Sequence, residues 1–341
     1  MIDITIAIPV YNVEKYVEKS LLSALNQDFS GSYEILVVDD KGTDKSMDIV
    51  RRVIENHKKG NIVRIIEHPE NKGLGPARNT SIDEARGKYL FFLDSDDWIT
   101  EDCISVLYET AQKDNSQVTV GSLCRVSEST GKKTLCQYKY ENVNHTAAGV
   151  YMHVNKIRMN IEVWNKLFEV GFLRKNNIRC VHRIIEDSIF DFNVRILADR
   201  ISLVPNVTLY YNIRESSILT KIFEKEGTHE SAFVFCDIIK QCQDLIRTKY
   251  HAIDGIYDLY YLRIEFSVAS LMRSHYSDLD KNQIRQCFRG VGGFVPSVNC
   301  LKLWKYRVAN IFMRFCDNYV ACQMFVTISR HFGLLKKIFF R

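Results

Sequence analysis

Asp94-Ser95-Asp96, with Asp97 next, places two carboxylates one residue apart at the end of an apolar run. Hard oxygen ligands at that spacing suit Mg²⁺ or Mn²⁺, which bridge a protein to phosphate oxygens. A cation held there would offset charge building on a departing diphosphate. Taken alone, such acids would equally well cap a helix near Thr100. Their position at a strand end, with polar or acidic residues at two further strand ends, favours the metal reading.

Four more groups invite the same question. Asp39-Asp40 ends a second apolar run, where a carboxylate can accept a hydrogen bond from a pyrimidine N–H or simply hold a turn. Asn71-Lys-Gly-Leu-Gly-Pro-Ala-Arg78-Asn79 has the glycines of a phosphate loop without the Walker or G-x-G-x-x-G pattern. In it Arg78 can pair bidentately with a diphosphate and Asn71 can read a base edge. Glu186-Asp187 precedes or opens a helical pattern; a carboxylate facing an acceptor can take a hydroxyl proton, and acids also suit a helix's first turn whatever the function. Trp164-Asn-Lys-Leu167 offers an aromatic face for a sugar or a core tryptophan. Arg214, after Tyr210-Tyr211, can return to a diphosphate from a loop or stay on the surface.

The elements that must position these residues follow from periodicity. Ile4–Val10, Glu34–Val38, Asn61–Ile66 and Lys88–Leu93 are short apolar or β-branched runs, read as strands. Between them Val17, Leu21, Ala24 and Leu25 recur at helical spacing, as do Met47, Ile49, Val50 and Val53, with Thr43 or Asp44 available as cap. Gly75–Arg86 is a third helix. Non-alternating strands joined by helices predict an open, doubly wound, mostly parallel α/β sheet. Ligands bind such sheets beyond the strands' carboxyl ends, where Pro9-Val-Tyr11-Asn12, Asp39-Asp40 and Asp94–Asp97 fall. A strand is expected over Gln117–Leu123, a polar excursion or hairpin over Ser127–His145, and a helix through Ile185, Ile189, Phe192 and Ile196. From about Phe223 the chain reads mainly as helix.

At 341 residues, 46% hydrophobic and 26% charged, the chain has an ordinary globular composition. The net charge of +5 is uneven: beyond Leu301 lie Lys302, Lys305, Arg307, Arg314, Arg330, Lys336, Lys337 and Arg341 against Asp317. Ten cysteines are scattered with no C-x-x-C pair, as for free thiols in a reducing compartment. The opening lacks the marks of a signal peptide, and no apolar run reaches the roughly 18 residues of a membrane span. The expected location is the cytoplasm. The basic tail, rich in Trp and Phe, reads either as an interfacial helix on the inner membrane face or as a helical packing or homodimer surface. No motif for nucleic acid accompanies the charge.

Assembled in order, these segments resemble the inverting GT-A glycosyltransferases of family 2, of the bacterial envelope or capsular polysaccharide type: Ile6-Ala-Ile-Pro-Val-Tyr-Asn12, Glu34–Ser46, Asn71-x-Gly73-x-x-x-Ala77-Arg78-Asn79, Phe91–Asp97, Trp164–Leu167 and Glu186-Asp187. The match covers roughly residues 4 to 220. The resemblance implies a GT-A domain over 1–220, with a nucleotide-sugar half to 100 and an acceptor half beyond, and a helical basic region over 221–341. It implies that Pro9, Tyr11, Asp39 and Asn71 line the nucleoside pocket of a UDP-sugar, with Asn12 and Ser95 beside them. Asp94 would meet the ribose and share the metal with Asp96, while Arg78 and Arg214 approach the diphosphate. Asp187 would be the general base of a single in-line displacement, and Asp97, Trp164 and Glu186 would border the acceptor, a glycan or lipid-linked chain. One departure is visible: the family commonly has D-D-G-S-T-D where this chain has Asp39-Asp40-Lys41-Gly42-Thr43-Asp44. Lys41 blurs which aspartate meets the base.

Two other readings compete. A nucleotidyltransferase would need a Gly- and Lys-rich triphosphate loop near the start, where Pro9-Val-Tyr-Asn12 stands instead. A catalytically silent nucleotide-sugar-binding scaffold would bind donor without turnover.

Overall fold

β1 (Ile4–Val10) is buried along its whole length, so both its faces must be covered, and alternate side chains enter different layers. Ile4, Ile6 and Ile8 join one core with Leu21 and Val50; Ala7 joins a second with Leu90 and Phe92. The first layer is supplied by α1 (Val17–Leu25) and α2 (Ser46–Asn56). The residue at the N-cap is Lys45, neither of the two expected, and it makes no side-chain cap bond; Asp44, one residue earlier, accepts from the Ser46 N–H through Oδ1 at 3.0 Å. Its Oδ2 accepts from the Glu14 N–H at 2.9 Å, which ties the start of α2 to the chain leaving β1.

β2 (Tyr33–Asp39), β3 (Val63–Glu67) and β4 (Tyr89–Phe92) run parallel with β1 in the order β3-β2-β1-β4. α3 (Leu74–Glu84) connects β3 to β4. The chain therefore winds outward from β1 through β2 to β3 and returns to β1's other side as β4. Strand order reverses at β1, and such a switch point opens a crevice at the carboxyl ends.

The sheet continues as a mixed one. Past β4 it takes in β9 (Lys166–Glu169), β6 (Val118–Ser127), β10 (Arg200–Ile213) and β5 (Trp98–Ile99). β9 is antiparallel to both β4 and β6, β10 is parallel to β6, and β5 is antiparallel to β10. The first four strands form the parallel array, and the whole is the mostly parallel, mixed sheet that the sequence predicts. The polar stretch over 127–145 contributes β7 (Lys133–Cys136), which makes a hairpin with β6, and β8 (Glu141–Asn144), which pairs with β10. α4 (Cys103–Asp114), α5 (Ala148–Val154), α6 (Val170–Lys175) and α7 (Asp187–Leu197) complete the layers. α7 buries Ile189, Phe190, Phe192, Val194 and Ile196, the face its periodicity predicts.

This computed structural model describes residues 2–182, 185–214, 229–253 and 255–256. The chain divides into two compact units, Met1–Arg214 and Glu215–Arg341. In the second, α8 (His229–Leu245) buries Val234, Ile238 and Cys242, an i, i+4, i+8 stripe that gives the helix one apolar face. The basic segment beyond Leu301 lies outside the described residues. Among the described residues no helix is long and apolar enough to cross a membrane.

Candidate active site

The strand ends meet as the topology requires. Beyond β4 the chain makes a tight turn in which the Asp97 N–H donates to the Asp94 carbonyl at 3.0 Å. The turn gathers Asp94, Asp96 and Asp97 so that a carboxylate oxygen of each lies within 4.8 Å of the others. Their surroundings differ. Asp94 Oδ1 accepts from Arg78 Nη2 at 2.6 Å. Asp96 Oδ2 lies 2.6 Å from Arg214 Nη2. Asp97 is 1% exposed; its Oδ1 accepts from the Asn212 N–H at 2.8 Å, and its Oδ2 is buried without a partner among the described residues. Burial, then the neighbouring Asp96 and Asp94, hold the Asp97 carboxyl well above the usual carboxylate range. Burial and Asp94 likewise push Asp96 up, against the pull of Arg214.

Arg78 lies on the inward side of α3 and is 2% exposed. It ion-pairs with Glu186 through Nη1 as well as with Asp94 through Nη2. Burial alone would lower its pKa, but Asp94 and Glu186 more than compensate and hold the guanidinium charged. The neighbours of Arg78 grip the same segment. Asn79 donates to the Cys180 carbonyl at 2.7 Å and accepts from the Cys180 N–H at 2.9 Å. A Cβ on Gly75 would collide with the His182 carbonyl oxygen. The glycine-containing motif thus serves as a platform on which the chain entering α7 is seated. Arg78, expected to approach a diphosphate, is taken up here by two carboxylates, Asp94 and Glu186.

At the other end, Asp39 and Asp40 have separate duties. Asp40 is consumed by structure: Oδ1 meets His68 Nδ1 at 2.7 Å and the Lys72 N–H at 2.9 Å, and Oδ2 accepts from the Gly73 N–H at 2.8 Å. Asp39 Oδ1 accepts from the Lys41 N–H at 2.9 Å, and its Oδ2 lies 3.6 Å from Lys41 Nζ. Lys41 itself has φ 55°, a left-handed conformation for which a lysine is an unusual choice. Asn12, at φ 51°, accepts from the Thr43 N–H at 2.8 Å, so its side chain ties the β1 and β2 ends together. Pro9 and Ser95 are buried and Asn71 half-buried, whereas Tyr11 is 46% exposed.

Two residues expected beside an acceptor are held by protein partners. Trp164 is 6% exposed and stacks on Tyr211 with centroids 5.2 Å apart and planes 13° from parallel; that face is covered by a ring. Asp97 is pinned to β10 beneath the turn. Asn165 and Lys166 are internal too: Asn165 bonds the Gly121 and Ser122 carbonyls and accepts from Thr208. Glu186 is buried against Arg78, and Asp187 is the first residue of α7 and half-buried. Tyr211 and Asn212 were not anticipated. Burial, followed by Asp97, Asp96 and Asp94, pushes the Tyr211 phenol up to about 12, which marks it as a wall of the acidic pocket. Its signal in the sequence was the Tyr210-Tyr211-Asn212 run just before Arg214.

A Rossmann-like half with acids gathered at its switch point, continued by a mixed sheet, defines a GT-A nucleotide-sugar fold. The model of "Glycosyl transferase family 2" matches residues 5–175, and the chain belongs to that family. It is 28% identical over 81% of its length to glycosyltransferase GlyA of Streptococcus pneumoniae serotype 4, of which the match covers 39%. It is 30% identical over 62% of its length to the poly(ribitol-phosphate) beta-glucosyltransferase of Bacillus spizizenii, of which the match covers 32%. The chain thus spans well under half of either relative. Among solved structures, S. aureus TarS 1–349 in complex with UDP-GlcNAc superposes with a TM-score of 0.71 at 21% identity, covering 97% of this chain and 92% of that one; that likeness is one of fold.

Proposed function

We propose that the chain transfers a sugar from a nucleoside diphosphate donor, UDP-linked in the first instance, to a hydroxyl of a glycan or lipid-linked acceptor in bacterial polysaccharide synthesis, with inversion. The observation that carries this reading is the meeting of Asp39, the Asp94–Asp97 turn and the Asp187 helix start around one switch-point crevice, the last two joined by Arg78. The family membership and the sugar-nucleotide complex of a protein with this fold support it.

Asp39 is assigned to the base, because Asp40 is already held by three hydrogen bonds from His68, Lys72 and Gly73 whereas Asp39 accepts one, from the Lys41 N–H. Pro9, Tyr11 and Asn71 line the nucleoside, and Asp94 meets the ribose. Arg214 is placed to meet the diphosphate. The acidic turn fits a divalent cation: its donors are hard oxygens, and Asp97 Oδ2 is a buried acceptor awaiting a partner. Mn²⁺ or Mg²⁺ held by Asp96 and Asp94 would neutralise charge on the leaving diphosphate. Asp187 takes the acceptor hydroxyl's proton as its oxygen attacks the anomeric carbon and the carbon–oxygen bond to the diphosphate breaks. Glu186 fixes the start of α7 through Arg78. No enzyme-linked sugar is formed, so no nucleophilic side chain is required. Residues 1–100 supply the donor half and 101–220 the acceptor half. For the basic region over 221–341 two roles stay open, contact with the inner membrane face and contact with a second copy of the chain.

Calorimetric titration with UDP, GDP and CDP, each with and without Mn²⁺, tests the donor site. UDP binding strengthened by metal, with product formed from a UDP-sugar, is expected. Metal-strengthened binding without turnover on any acceptor would favour the silent scaffold, and no binding at all would end the donor-site reading.

A further inference from the structure

Resting on that donor-site reading, we propose that the Arg214 guanidinium and the divalent cation are alternative occupants of the Asp96 carboxylate, and that a diphosphate admits the metal by drawing the arginine away. Arg214 Nη2 lies 2.6 Å from Asp96 Oδ2, within the oxygen cluster that would ligate the ion. The other two carboxylates are held otherwise, Asp94 by Arg78 and Asp97 by the Asn212 N–H. Arg214 therefore supplies the positive charge at the member of the cluster that faces neither of those anchors.

Its seat is incomplete. The guanidinium lies 5.1 Å from the Tyr16 ring centroid, a cation–π contact, and the Tyr16 hydroxyl donates to Glu128 at 3.0 Å. Yet Arg214 Nε is buried with no hydrogen-bond partner among the described residues, a donor left unmade at a cost. A phosphate offers several acceptor oxygens in the fork geometry a guanidinium matches. Arg214 directly follows the last residue of β10, so its long side chain can change partner while the strand stays paired. A dication and a guanidinium at one carboxylate repel each other, so each disfavours the other there. Metal and nucleotide each strengthen the other's binding through the same arginine, and the coupling is equal in both directions.

Mn²⁺ affinity, read by calorimetry and by the EPR signal of free Mn²⁺, tests this with the full chain in the presence and absence of UDP. Wild type should bind Mn²⁺ weakly alone and more tightly with UDP. Arg214→Ala should bind Mn²⁺ alone about tenfold more tightly than wild type, the equivalent of about 1.4 kcal/mol, and UDP should then add correspondingly less. Arg214→Lys, a shorter single-point cation, should fall between the two and serves if the alanine variant unfolds. Asp96→Ala should lose Mn²⁺ binding in every case. If both Arg214 variants bind Mn²⁺ alone no better than wild type while UDP still promotes it, the exchange is overturned and the metal site stands. If no form binds Mn²⁺ even with UDP, the metal assignment falls and the exchange falls with it.

Discussion

Asp94 and Glu186, one just past β4 and the other at the start of α7, are bridged by the single guanidinium of Arg78. The bridge links the acid proposed for the donor's ribose to the helix that begins with the proposed base. A displacement in one half is thereby felt in the other.

Arg78→Met leaves those two acids without their shared cation. Breaking a buried pair from one side costs about 3–5 kcal/mol, and urea unfolding should show a loss of that order. Arg78→Lys keeps the charge but cannot span two carboxylates, so it should recover part of the stability and little of the turnover. A loss below about 1 kcal/mol in the methionine variant would mean that the acids relax into solvent and the bridge is incidental.

The two neighbouring aspartates should separate cleanly. Asp39→Ala should weaken UDP binding about tenfold, the range of one hydrogen bond to a charged group, with a smaller loss of stability than at Asp40, because only the Lys41 N–H loses its acceptor. Asp40→Ala orphans the His68 ring and the Lys72 and Gly73 amides and should lower stability by about 1–3 kcal/mol. The opposite pattern in calorimetry and unfolding would exchange their roles.

Asp187→Asn should leave UDP affinity intact while the rate of sugar transfer falls about 100-fold or more, the contribution of a general base. A rate within a few-fold of wild type would reduce Asp187 to a helix-terminal acid.

Lys166 offers a pH signature. Burial lowers its pKa to about 8, opposed by Asp191 and Glu162, against 10.5 for an unperturbed lysine. The unfolded chain therefore binds more protons than the folded one between these values, and the stability of the wild type should rise with pH across that window. The whole effect is about 3 kcal/mol, at 1.36 kcal/mol per pKa unit. Lys166→Met removes it, so urea midpoints of variant and wild type measured from pH 7.5 to 10 should converge or cross in favour of wild type. Parallel curves would mean that the lysine stays solvated.

The donor half was legible because its signals are local. Unalternating apolar runs such as Ile4–Val10 specify buried parallel strands, and polar residues at their ends mark the crevice. What the spacing did not carry was direction. Nothing in the spacing of Arg78 or Trp164 says whether a side chain faces ligand or protein; that depends on partners more than eighty residues away in Glu186 and on Tyr211. β9 and β10 were missed for a related reason: β9 is four residues long with charged Lys166 and Glu169 at its ends, and Pro205-Asn206 interrupts the apolar pattern of β10. The choice between Asp39 and Asp40 likewise turned on hydrogen bonds to a loop thirty residues on.

Asn79 grips Cys180 by its backbone, and Gly75 leaves room for the His182 carbonyl. The Cys180 side chain is buried in the core while Val181 between them is 49% exposed, so Val181 is the position here that can change without disturbing the donor half. The stretch is not indifferent to length. A residue inserted or deleted between Cys180 and Glu186 would shift the first turn of α7 against Arg78 and swing Asp187 away from the sugar. Register matters more here than the identity of the exposed Val181 side chain.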